Sequence, residues 1–212
     1  MRMDVLRLIE THSFYTQNKP GRKNLGHLTR SAVVMLCAAW ERYNEDLLLE
    51  GISFITNTVN DINLLNKKLK KNISAKVKAD KNDIKPIELA GAGWKSVWYS
   101  YAKEETQLLN TPKAPKLKIL FDFYLGIDDY ISLWKTNVNL QIDQFVSDRG
   151  DIAHNGNQAA YMRMDKLRNY QDLIIENVIE IDSNLSTELM KISGQPNRPW
   201  TQDYSKDLLY YK

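Results

Sequence analysis

The sequence predicts an all-α helical bundle. Apolar residues recur at helical spacing over long stretches, and strand-like alternation is scarce. Clusters of Gly, Pro and Asn fall between those stretches rather than inside them. A chain of 212 residues with 43% apolar content suits one domain with a proper core. Eleven tyrosines and five tryptophans argue against disorder. No internal repeat stands out.

The first helix is expected over residues 2–17, where Val5, Leu6 and Ile9 set a 3.6-residue rhythm that Asn18-Lys19-Pro20-Gly21 ends. A long amphipathic helix then starts near Leu25–Thr29 and runs to about Ile55, with Val33, Leu36, Cys37, Trp40, Tyr43, Leu47 and Leu48 on its buried face. Asp61–Lys71 continues as another helix. Residues 72–93 are polar and lysine-rich, carry Pro86 and Gly91-Ala92-Gly93, and read as an insertion between bundle helices. Trp94, Trp98, Tyr99 and Tyr101 begin a helix that reaches about Leu109; two readings of these aromatics are open, a core cluster or a stacking platform for RNA bases. After the Asn110–Pro115 break, Leu117, Leu120, Phe121 and Tyr124 mark a short helix with Gly126 as its C-cap. Ile127–Trp134 is a further short helical piece. Leu140, Ile142, Phe145 and Val146 define the helix that leads into Arg149, and a last long helix follows Asn155-Gly156-Asn157 to about Met190. The expected organisation is one helical domain over 1–190, with a basic insertion at about 66–93, and a tail at 191–212 that packs on the bundle or on a partner.

The single cysteine, Cys37, excludes an internal disulfide framework and a cysteine-based zinc site, and its apolar neighbours assign it to packing. No metal-ligand cluster and no phosphate-binding glycine loop of the GKS/GKT kind is evident, so no cofactor is expected. Met1-Arg2-Met3-Asp4 is followed by charges rather than an apolar leader, and no run is long enough to span a membrane; a cytoplasmic location without membrane contact is the expectation. The net charge of +3 is unevenly spread. Residues 67–85 hold eight lysines against Asp80 and Asp83, a segment at +6 in a chain whose remainder is −3. Such a segment either gathers a polyanion or is a solvated, mobile loop. Lys67, Lys68, Lys70 and Lys71 are its candidate RNA-binding residues.

Residues 148–156, Asp-Arg-Gly-Asp-Ile-Ala-His-Asn-Gly, are the most informative stretch. Arginine stays charged and grips phosphate with two parallel hydrogen bonds, while histidine moves a proton near neutral pH. Spacing alone does not single this pair out, because each of the three histidines has an arginine five positions before it: Arg7–His12, Arg22–His27 and Arg149–His154. Arg7 and His12 share one helix and diverge by about 140° around its axis. His12 is expected at a surface or boundary, and His27 in a connecting turn. Arg149 and His154 are expected in a tight connection, with Ser147–Arg149 ending one helix, Asn157 capping the next and Gly150 and Gly156 turning the chain.

Three features in order resemble the HEPN-domain superfamily, in particular its RiboL-PSP-HEPN branch. They are Ala38-Ala39-Trp40-Glu41-Arg42-Tyr43-Asn44-Glu45-Asp46-Leu47-Leu48, then Asn110-Thr111-Pro112 with Leu120-Phe121 and Leu125-Gly126-Ile127, then Arg149-Gly150-Asp151-Ile152-Ala153-His154-Asn155-Gly156. The resemblance covers roughly residues 25–185. It implies a HEPN-like bundle that forms a homodimer, with an arginine, four to six residues, then a histidine ahead of the final helix. Arg149 and His154 match that pattern. The implied activity is metal-independent endoribonuclease cleavage at a site composed of both copies, and many relatives are toxins or antiviral effectors with antitoxin or defence-system partners. Two departures stand out. Gly150 follows the arginine where relatives often carry a polar residue. Gly156 occupies the place where a subgroup carries a tyrosine modified by its antitoxin, so that regulation is not expected.

On this reading RNA supplies its own nucleophile. Arg149 neutralises charge on the phosphorane and His154 transfers protons. The family places an acidic residue at Glu41, as a partner for Arg149 or as an ordinary surface glutamate. Asp151 either orients His154 or caps a turn, and Asn155 supports the site. The alternative function is a non-catalytic HEPN module that binds RNA or scaffolds an assembly.

Overall fold

The computed structural model describes residues 2–17, 24–156 and 161–200. Within them the chain forms seven helices: α1 (Arg2–Thr16), α2 (Gly26–Thr58), α3 (Lys67–Ala79), α4 (Gly93–Thr106), α5 (Ala114–Leu125), α6 (Asn139–Asn155) and α7 (Met164–Ser193). Short 3₁₀ turns at Ile62–Leu64, Ile87–Leu89 and Tyr130–Leu133 sit in the connections. No strand occurs among the described residues, in keeping with the predicted all-α class.

The longest helix, α2, is the spine. Its 33 residues extend about 50 Å at 1.5 Å per residue, and α1, α4, α5, α6 and α7 all pack against it. Val33, Leu36, Trp40, Leu47, Leu48, Ile52 and Ile55 recur every three or four residues and are buried. Gly51 is where neighbours come closest: a Cβ there would lie 3.1 Å from Leu125 Cδ1 on α5 and 3.5 Å from Leu189 Cδ1 on α7. The largest ring stack forms against the same face. Phe121 and Tyr130 lie parallel with centroids 3.6 Å apart, and Trp134 meets Trp40 edge to face at 5.4 Å.

The aromatic run opening α4 is core. Trp94, Trp98 and Tyr101 are buried; the Trp98 indole N–H donates to the Tyr124 carbonyl at 3.2 Å, and the Tyr124 hydroxyl donates to the Tyr101 carbonyl at 3.2 Å. Only Tyr99 of that group stays at the surface. Gly126 closes α5 in the left-handed conformation (φ 73°), as its position implied.

The lysine-rich stretch differs from expectation. Residues 67–79 are not a mobile loop but the amphipathic helix α3, whose Leu69, Ile73 and Val77 enter the common core. The Asn66 side chain caps it by accepting the Leu69 N–H at 2.8 Å. Lysine has good helix propensity, and every third or fourth position of the run is apolar, so the lysines are the solvent face of a packed helix. The last helix also starts later than expected, at Met164, and Asn157 lies outside the described residues.

Beyond α7, the start of the tail packs on the bundle. Gly194 turns the chain (φ 67°) and the Trp200 indole N–H donates to the Asp182 carbonyl at 2.9 Å. The rest of the tail, 201–212, lies outside the described residues. No helix of the described residues is long and apolar enough to cross a membrane.

Asp182 itself gives the fold a pH signature. Burial pushes its carboxyl from 3.8 up to about 6, against the Tyr43 hydroxyl donating at 2.7 Å and with Glu50 adding repulsion. A raised carboxyl means the native state favours the neutral form, so this contribution is full below pH 4 and is lost as pH rises from about 4 to 6. At ~1.4 kcal/mol per tenfold change in proton affinity, the ionised form costs up to ~3 kcal/mol above pH 6. Asp182→Asn is therefore expected to melt above wild type at pH 7.5 and level with it at pH 4. Thermal melts of both proteins at the two pH values check this; a difference independent of pH would contradict it.

Candidate active site

The site is built on α6. Ile142, Phe145, Val146 and Ile152 form its buried stripe, and Arg149 falls on that same stripe, three residues from Val146 and three from Ile152. A guanidinium thus occupies a slot that the 3.6-residue rhythm reserves for an apolar side chain, and it is half-buried. The helix does not stop at Arg149 but continues to Asn155, where Gly156 (φ 48°) caps it with its N–H on the Ile152 carbonyl. The expected tight connection between the two signature residues is therefore absent. Arg149 and His154 share one rigid helix and diverge by about 140°, the same separation that set Arg7 and His12 apart. Arg149 faces α2, while His154 points to solvent in the last turn, where the carbonyl end of the helix favours a cation. Within one copy of the chain, the two do not converge.

Arg149 lies opposite Glu41 and Cys37, which are one turn apart on α2. Burial pushes the Glu41 carboxyl up, and the positive charges of Arg149 and of Lys116 on α5 pull against it. Burial raises the Cys37 thiol to about 12, so it is a packed neutral group beside the arginine and not a nucleophile. The three sequence features that carry the family resemblance meet here. The Trp40 indole N–H donates to the Pro112 carbonyl at 3.0 Å, and the Lys116 ammonium donates to the Asn110 side chain at 3.4 Å. Glu41 lies on α2 within electrostatic reach of Arg149 but forms no direct ion pair with it, so both readings of Glu41 stay open.

Asp148 is a functional candidate that the sequence did not mark. It is 2% exposed and accepts hydrogen bonds from Gln144 Nε2 at 2.8 Å, the Tyr170 hydroxyl at 2.6 Å and Lys166 Nζ at 2.6 Å. Burial alone would raise its carboxyl, but the bonds from Lys166, Tyr170 and Gln144 prevail and hold it below the usual carboxylate value. Asp148 is thus not a surface charge. The Gln144–Asp148 spacing of one helical turn was visible; its partners 18 and 22 residues later on α7 were not.

Asp151 accepts a bond from the Tyr161 hydroxyl at 3.3 Å, and it sits within α6. It neither orients His154 nor caps a turn. Asn155 is the exposed last residue of α6. His12 is half-buried with its pKa lowered by burial and by Arg168, a boundary residue as expected. His27 is exposed in the first turn of α2, 3.3 Å from the Asn24 carbonyl; its spaced partner Arg22 lies outside the described residues.

The structure sets the candidate RNA-binding lysines apart from α6. Their helix α3 packs on α4 and α5, and Lys68 is engaged by Asp122 and Asp128 at the C-terminal end of α5. Lys116, near Glu41, lies at the other end of α5, about 9 Å away along the axis from Asp122. Lys70 donates to the Asn63 carbonyl at 3.2 Å, while Lys67 and Lys71 are exposed. Among the described residues no group of three or more His, Cys, Asp or Glu is placed to hold a metal ion.

Gly150 has an ordinary place inside α6, and a Cβ there would meet nothing within 4 Å. Gly150→Ala is expected to stabilise the fold by about 0.5–1 kcal/mol, because glycine weakens a helix interior by that amount relative to alanine. The Tm should rise by about 1–4 °C in a thermal melt. A fall would mean that α6 needs the glycine.

Comparison with curated proteins and with solved structures returned no match. A protein-family model, RiboL-PSP-HEPN, matches residues 4–187, which takes in α2, the α5 region and the Arg149–His154 segment. With a helical fold and a family match over most of its length, the chain belongs to the RiboL-PSP-HEPN family.

Proposed function

We propose that this protein is an endoribonuclease that cuts RNA without a metal, at a site composed by two copies of the chain, and that it serves as a toxin or phage-defence effector. Membership of the family supports an RNA-related function. The finer reading is carried by the divergence of Arg149 and His154 on one α6: a lone copy holds the phosphate clamp and the proton carrier on different faces, and a second copy can bring its own His154 to the first copy's Arg149. A shallow, mainly apolar groove of about 380 Å³ between the first half of α6 and α7 offers contact area on the same helix, with Leu140, Tyr170 and Leu173 in its lining and Leu140 75% exposed.

The chemistry follows from RNA itself. One imidazole takes the 2′-hydroxyl proton as that oxygen attacks phosphorus. Arg149 guanidinium groups bind the charged phosphorane oxygens. A second imidazole, protonated, gives its proton to the departing 5′-oxygen. The products are a 2′,3′-cyclic phosphate and a 5′-hydroxyl. General acid–base transfer contributes about 10²–10⁴-fold, and loss of one positioned donor to developing charge costs about 10²–10³-fold.

His154→Ala and Arg149→Ala are each expected to lose activity by at least about 10²-fold on a labelled structured RNA in EDTA, with His27→Ala unaffected. Refolding His154→Ala with wild type should give mixed dimers that lack one of the two imidazoles and are impaired as well, a loss beyond simple dilution that a site contained in one copy would not show. Ends carrying 3′-hydroxyl and 5′-phosphate would rule the mechanism out. Binding without cleavage across a broad RNA panel would favour the non-catalytic module, which the exposed Lys67 and Lys71 of α3 suit.

A further inference from the structure

The polar groups that tie α6 to α7 converge on one carboxylate. Asp148 takes Gln144 from its own helix and Tyr170 and Lys166 from α7. Lys166 extends the cluster, with Nζ 4.9 Å from the Tyr161 ring centre and 5.6 Å from that of Tyr170. Tyr161 in turn donates to Asp151 on α6. The Phe145 and Tyr170 rings, 4.9 Å apart, close the cluster on the core side. These contacts bracket Arg149 on both sides in sequence, at positions 148 and 151. They come from α7 and from Tyr161 just before it, and hold α6 on the side that meets α7.

A helix held only by apolar contacts can adjust its rotation slightly by repacking side chains. A 2%-exposed carboxylate cannot, because any rotation that breaks its bonds leaves a buried charge without donors. Arg149 is the next residue, about 100° further around the axis. Fixing Asp148 against α7 therefore fixes Arg149 against Glu41 on α2, and fixes the direction in which His154 leaves the helix.

We propose that Asp148, held by Lys166 and Tyr170, is a positioning residue for the reaction: it sets the rotation of α6 that aims Arg149 and His154. Asp148 touches no reacting atom itself. The proposal rests on the nuclease reading for its effect on rate, but not for its effect on geometry. Misplacement of a working group by about 1 Å costs roughly 10²-fold.

The test compares Lys166→Met, Lys166→Arg and Asp148→Asn with wild type in steady-state RNA cleavage, alongside NMR of the Arg149 side-chain Nε–H and the His154 ring. Lys166 is the variant least dependent on refolding, as its side chain is 34% exposed. Tyr101→Phe, which removes a hydroxyl–carboxylate bond to Asp80 between α4 and the end of α3, controls for general loosening. Lys166→Met and Asp148→Asn should lower kcat by about 10- to 100-fold with KM within about threefold. Lys166→Arg should keep most of kcat, and Tyr101→Phe should leave it unchanged. The Arg149 and His154 resonances should move in Lys166→Met and stay in Lys166→Arg. A raised KM with unchanged kcat would make Lys166 a simple RNA contact and overturn the proposal. So would an equal loss in Tyr101→Phe, or unmoved resonances in Lys166→Met. If wild type cuts no RNA, the nuclease reading fails and the resonances alone decide the positioning role.

Discussion

The buried amide of Asn44 is the interaction on which the arrangement of the bundle depends. It is fully enclosed at the middle of α2, its NH₂ donates to the Trp40 carbonyl at 2.8 Å, and its oxygen accepts the Tyr130 hydroxyl at 2.9 Å. An unpaired amide or phenol there would cost about 1–3 kcal/mol, so the 3₁₀ turn carrying Tyr130 has one acceptable register against α2. Tyr130 is stacked on Phe121, which passes that register to α5. The Ala114 N–H, bound to the Asp143 carboxylate at 2.7 Å, passes it on to α6. A polar pair inside an apolar core thus sets where the helix bearing Arg149 lies.

Placing a guanidinium in a core stripe has consequences for everything around it. Glu41 is within electrostatic reach of Arg149: burial raises its carboxyl, and the guanidinium pulls the other way. The neutral Cys37 one turn before it keeps that wall of α2 small and apolar. The result is a cation held near the middle of α2 and partly shielded from water. About 100° around α6, Asp148 stays buried because three donors bind it. The helix is clamped between two charges of opposite sign, one facing α2 and the other facing α7.

Much of this was legible beforehand. Helical periodicity located α1, α2 and α5 to within a few residues and the end of the long last helix, because apolar spacing is a local property that the helix itself imposes. The three family features were likewise visible in order. The end of α6 was misplaced because Gly150 looked like a turn signal, whereas its neighbours' packing overrides the glycine's weak preference. The stripe at Ile142, Phe145, Val146 and Ile152 was the available clue: extended through Arg149, it predicts one continuous helix. The lysine run misled in the other direction, since charge density drew attention away from Leu69, Ile73 and Val77 beneath it.

The sequence by itself determined an all-α bundle, its spine, its breaks, and the residues capable of phosphate binding and proton transfer. Those follow from local rhythm and side-chain chemistry, which need no knowledge of what lies across the core. Only the tertiary structure decided that Arg149 and His154 face apart, that Asp148 is buried under Lys166 and Tyr170, and that the lysine-bearing helix α3 packs on α4 and α5 rather than α6. Such contacts join residues far apart in the chain, and their partners are chosen by burial and hydrogen-bond satisfaction, which no local pattern records.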